Sequence, residues 1–124
     1  MGTIETTQDL TRDLTIIVAA GKMKPEDFHE WTETYYRGTV TSLALWDLTQ
    51  ADLSALSPED LRSDAIHTKA LADARKGGKT AIVSSSSLEF GLGRMLEAFY
   101  DMEEVPFEVE VFTDTDKAMK WLGV

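Results

Sequence analysis

Along the whole chain, short runs of β-prone apolar residues alternate with longer segments whose apolar residues recur at helical spacing. That alternation constrains the fold more than any other feature. Strands and helices in regular turn bury their apolar faces best in a mostly parallel sheet with helical cover. Ile4 to Thr7 and Leu14 to Ala20 (LTIIVAA) read as two strands of a hairpin, with polar Asp9 to Asp13 between them. Lys24-Pro25-Glu26-Asp27 opens a helix, since proline suits its first position and acids suit the positive end of its dipole. Phe28, Trp31 and Tyr35 fall on one face of that helix and Gly38 ends it. Tyr36 and His29 are left for the outer face.

Leu43 to Leu48 (LALWDL) is the next strand, with Trp46 in the core. Ser57-Pro58-Glu59-Asp60 starts a second helix, with Ser57 as N-cap. Its stripe is Leu61, Ala65, Thr68 and Ala72. Its end is Arg75-Lys76-Gly77-Gly78, cations in the last turn and then glycine. Thr80 to Val83 is a further strand. The serine run Ser84 to Ser87 then begins a helix with Leu88, Leu92, Met95, Leu96 and Phe99 on its apolar side. Phe107 to Phe112 (FEVEVF) alternates with glutamate outward, as an edge strand or one with a wet face would. Thr113-Asp114-Thr115-Asp116 caps a last short helix that buries Ala118, Trp121 and Leu122. The expected fold is α/β, in the order β-β-α-β-α-β-α-β-α. It is a single mixed, mostly parallel sheet of about five strands with four helices, in one domain over residues 1–124.

Bulk properties exclude several function classes. Twelve Lys and Arg stand against 22 Asp and Glu, a formal net charge of −10. Such acidity repels phosphate backbones and anionic headgroups, so no nucleic-acid partner is expected. No cysteine is present, which removes disulfides, thiolate metal sites and cysteine nucleophiles. No apolar stretch approaches membrane-spanning length, and the polar, acidic start MGTIETTQDLTRDLT does not read as a signal peptide. Met1-Gly2 with Thr6 has the outline of a myristoylation signal, yet no basic patch follows to supply a second anchor. A cytoplasmic location is expected.

The element order, over nearly the whole chain, resembles the STAS fold of anti-sigma-factor antagonists, and more closely the SpoIIAA-like group of small bacterial domains, also described as STAS/SEC14-like. The hairpin exit IIVAAGKM, the strand end LWDLT, the segment GGKTAIV and the closing VEVFTDTDKAMKWLG carry the resemblance. These are packing patterns rather than catalytic motifs. The resemblance implies a regulatory domain, switched in the antagonists by phosphorylation of a serine that starts the helix after the third strand. Asp47-Leu48-Thr49 is similar to the Asp-Leu-Ser that ends that strand. The Asp-Ser-Ser-Gly-Leu-Gly-like segment is absent, and Asp52-Leu53-Ser54-Ala55-Leu56-Ser57-Pro58 stands in its place. Ser57 is then the nearest counterpart of the switch serine. SSSSLEFGLG looks more like the missing motif but lies one strand-helix unit too late.

Candidate contact residues for a partner or ligand are Asp47, Thr49, Ser54, Ser57, Ser84, Ser85, Ser86, Ser87 and Arg94, at or near the carboxyl ends of strands, where open α/β sheets bind ligands. Each has a plainer reading. Ser86 and Glu89 fit a capping box, the aspartates fit turns and caps, and Arg94 fits an i, i+3 pair with Glu97. Gly91 and Gly93 inside a helix suggest close packing or a ligand near the backbone. The serine turn lacks the Gly-Lys-Ser/Thr of a phosphate loop and the third glycine of a dinucleotide loop. It also lacks a base, because His29 and His67 read as helix-face residues among charges. No catalytic residue, cofactor or metal ligand is assigned. The expected function is non-enzymatic binding of a protein partner by a homodimer, or carriage of a small apolar ligand.

Overall fold

The computed structural model describes residues 2–124; Met1, and with it part of the motif considered above, lies outside the described residues. The elements are β1 (Thr3–Asp9), β2 (Leu14–Lys22), α1 (Pro25–Arg37), β3 (Leu43–Asp52), α2 (Pro58–Leu71), a 3-10 turn (Ala72–Arg75), β4 (Lys79–Val83), α3 (Ser87–Met102), β5 (Glu108–Phe112) and α4 (Thr115–Leu122). One sheet runs β1-β2-β3-β4-β5. β1 pairs antiparallel with β2, and every other pair is parallel. This is the α/β architecture expected, with β5 at an edge and Glu108 and Glu110 exposed on it.

Side chains alternate across a strand, so each strand feeds two cores. On one face Ala19, Leu48, Ile82 and Val111 meet Phe28 of α1 and Leu92 and Leu96 of α3. On the other, Leu45, Ala81 and Val83 meet Ala118 and Leu122 of α4. Parallel crossovers between neighbouring strands keep one hand. The crossover helices α1, α2 and α3 therefore share a face, and α4 covers the opposite one. A third cluster of Ala65, Ala72, Tyr100 and Phe107 joins α2 to α3 and β5.

Three expectations need correction. Tyr36 does not lie on an outer face. It is half-buried, edge-on to Tyr35 at 5.0 Å, and packs with the α2–α3 cluster. Leu88 is not part of the buried stripe of α3; it is 56% exposed at the first turn. Arg75 is not a solvated last-turn cation. It is 3% exposed, donates to the carbonyls of Thr41, Ser42 and Lys79 and to Thr80 Oγ1, and lies 4.3 Å over the Phe107 ring. The reason is the tight turn after α2, which ends the α-helix at Leu71 and swings Arg75 beneath the sheet end. Gly78 allows that approach, since a Cβ there would collide with the Ser42 carbonyl oxygen.

Candidate functional site

The rim at the carboxyl ends of β3 and β4 collects most of the residues singled out from sequence. Asp47 Oδ1 accepts from Thr49 Oγ1 at 2.6 Å and from the Thr49 amide at 2.9 Å. Ser85 Oγ donates to the Thr49 carbonyl at 3.2 Å, which ties the β4–α3 turn to β3. Asp52 Oδ1 accepts from the Ser54 amide at 3.0 Å. Hydrogen bonds from Ser54, side chain and then amide, hold the Asp52 carboxyl below its ordinary value. Ser57 caps α2 in a full reciprocal box, its Oγ accepting from the Asp60 amide at 3.2 Å while its own amide donates to Asp60 Oδ2 at 2.8 Å. It stands exposed at the start of the helix after the third strand.

The serine run divides three ways. Ser84 is fully buried, its Oγ without a hydrogen-bond partner and its amide bound to the Phe112 carbonyl. It is therefore withdrawn from the contact surface on which the sequence placed it. Ser86 is the N-cap of α3, accepting from the Glu89 amide at 3.2 Å. The return bond from Glu89 expected of a capping box is not made. Ser85 and Ser87 are exposed. Arg94, further along α3, pairs with Glu97 at 3.5 Å, the bland alternative. No hydrogen bond among the described residues joins a rim serine to a histidine.

A second feature lies beneath the rim. α1, α2, α3 and the sheet enclose a cavity of about 80 Å³. Its walls are largely apolar, with the aromatic rings of Phe28, Trp31, Tyr36, Trp46 and Tyr100 among them. A water needs roughly 10–15 Å³ by this measure, so the space suits several waters or a small organic molecule. Asp64, Thr68 and Arg75 make one end polar. Burial pushes the Asp64 carboxyl up, opposed by the Tyr100 hydrogen bond and by His67 and His29. Burial also raises the hydroxyls of Tyr100 and Tyr36.

Sequence reasoning placed His29 and His67 on separate helix faces and did not foresee that they meet. Their rings stack at 3.8 Å between centroids, although they come from different helices. The available signal was one histidine and one carboxylate on the same face of each helix, His29 with Glu33 and Asp64 with His67. Neither pair says that the two faces meet.

No protein-family profile matches this chain, and no curated protein is significantly similar. Solved structures are similar over nearly its full length. An uncharacterized protein of the DUF3478 family with a SpoIIAA-like fold, from Shewanella loihica PV-4, superposes with a TM-score of 0.59 at 23% identity, covering 98% of this chain and 93% of that one. An anti-sigma factor antagonist from Mycobacterium paratuberculosis superposes with a TM-score of 0.57 at 10% identity, covering 100% and 96%. The fold is SpoIIAA-like. No helix among the described residues is long and apolar enough to cross a membrane.

Proposed function

We propose that this chain is a non-enzymatic, STAS-like regulatory domain of the cytoplasm, working as a homodimer that binds a protein partner. The observation that carries the reading is the composition of the rim. Ser54, Ser57, Ser85 and Ser87 are exposed there beside Leu88, which offers an apolar anchor at 56% exposure. On the flanking helix α2, Ile66 is 47% exposed. The rim's hydrogen bonds are turns and caps, a pattern suited to presenting a shaped surface rather than to moving protons. The fold shared with an anti-sigma factor antagonist supports the same reading. The test is affinity capture from cells with parent protein and with Ser57→Glu, Ser85→Glu and Leu88→Lys variants. Loss of one specific partner in the variants is expected. Capture unchanged in all three sinks the rim as the contact surface.

The aromatic cavity favours a second reading, carriage of a small apolar ligand with a polar end. Cores are packed to crystal-like density, and few voids larger than a water survive in them. An occupant whose polar group meets Asp64 or Arg75 would fill this one. Native mass spectrometry of freshly purified protein separates the readings. A retained small-molecule mass supports the carrier, whereas bare chains from several expression hosts remove it.

A further inference from the structure

Where α1 packs on α2, two short same-face pairs meet. His29 and Glu33 are one turn apart on α1, and Asp64 and His67 one turn apart on α2. Ligating atoms of His29, Glu33 and His67 all lie within 4.8 Å of one another. His67 Nε2 is buried without a hydrogen bond, and Glu33 Oε1 stands 3.4 Å from it. The other oxygen of the same carboxylate, Oε2, is held by Arg37 at 3.3 Å, which leaves Oε1 turned toward the histidines. Asp64, fixed by the Tyr100 hydroxyl at 2.7 Å, adds a second acidic group close enough to sense both imidazoles.

We propose that this seam binds a borderline divalent cation of the Zn²⁺ type, with His29, Glu33 and His67 as its protein ligands. Two imidazoles and a carboxylate are the donor set such ions take, whereas magnesium and calcium take oxygen. Three protein ligands leave one position of a tetrahedron open. A cleft of about 330 Å³ opens beside His29, lined also by Glu30, Asp60 and Asp64, so water reaches that ligand. Metal–nitrogen bonds of roughly 2 Å place tetrahedral ligand atoms about 3.3 Å apart, so the three groups must draw together by about 1.5 Å at most. The cation lies in the plane of each imidazole, so the stacked rings must splay. His29 is exposed, and its ring torsion has a broad well, so it is the ring that turns. Arg37 then acts on the cation only through Glu33, by orienting its carboxylate.

The experiment is calorimetric titration of untagged, chelator-stripped protein with Zn²⁺, paired with optical titration with Co²⁺. One equivalent per chain is expected, with visible Co²⁺ bands of a tetrahedral nitrogen–oxygen site. His29→Ala and His67→Ala should each weaken binding by more than about tenfold, and Glu33→Gln by about tenfold. Circular dichroism checks that each variant is folded, and exposed His29 keeps the test decisive if the His67 variant is not. No saturable binding up to millimolar metal overturns the proposal. So does binding that His29→Ala leaves unchanged, since the ion would then sit on surface carboxylates, with Glu33 and His67 only an ion pair.

Discussion

The Tyr100 hydroxyl donates a 2.7 Å hydrogen bond to Asp64 Oδ2, joining α3 to α2 at the polar end of the cavity. Tyr100 is 9% exposed, so its donor has little access to water. Tyr100→Phe removes the bond and leaves a carboxylate poorly compensated. The expected cost is about 1.5–3 kcal/mol, the range for hydrogen bonds to charged groups, read from urea unfolding.

Asp64 also makes stability depend on pH. Burial raises its carboxyl above the ordinary 3.8. The native state thus keeps the proton after the unfolded chain has lost it, and stability falls as pH rises from the ordinary value through the raised one. Asp64→Asn keeps an acceptor for Tyr100 without the charge. Relative to the parent, the variant should gain stability as pH rises from about 4 into the range where the native carboxyl ionises, by urea midpoints. A difference that stays flat across that range would contradict the raised carboxyl.

Arg75 is a buried charge, and its partners are three carbonyls and a hydroxyl. Arg75→Met removes the donors but leaves those acceptors beneath the sheet end. A loss of about 3 kcal/mol or more is expected, since each buried acceptor left unpaired costs about 1–3 kcal/mol, and this is a large share of the stability of a domain this size. Arg75→Lys should not rescue it, because an ammonium cannot span four acceptors with a planar fork. Thermal unfolding of both variants checks this.

The two glycines of α3 should respond oppositely to alanine. A Cβ on Gly91 meets nothing within 4 Å, so Gly91→Ala should stabilise by about 0.8 kcal/mol through helix propensity. A Cβ on Gly93 meets Val111 Cγ1 of β5 at 3.1 Å. Overpacking there, partly offset by the same propensity gain, should cost about 1 kcal/mol net. Denaturant midpoints of the pair decide whether α3 rests on β5 as closely as described.

Ser57→Ala should lower stability by about 1 kcal/mol through loss of the α2 cap. Its effect on partner capture is a separate readout. A variant such as Ser57→Asp preserves a capping acceptor while adding charge, so it separates the two roles.

What the sequence determined by itself was whatever depends on near neighbours in the chain. Strand and helix periods, Pro25 and Pro58 at helix starts, and Ser57, Ser86 and Asp114 as caps are local chemistry; the prolines and caps lie where they were read, while β3 runs on from Leu48 to Asp52 and α2 stops at Leu71. The order of elements also pointed to a mixed, mostly parallel sheet whose antiparallel strand belongs to the hairpin, while the order of the strands across the sheet came from the tertiary structure. Only the tertiary structure decided what depends on two distant segments meeting. Ser84 is buried because the end of β4 bonds to Phe112 of β5. Tyr36 turns inward because α2 and α3 cover it, Arg75 is internal because the loop before β3 supplies it with carbonyls, and His29 finds His67 because α1 lies on α2. A helical period names the face of each helix, but only packing chooses which faces touch, and the cavity and the histidine seam both lie at that choice.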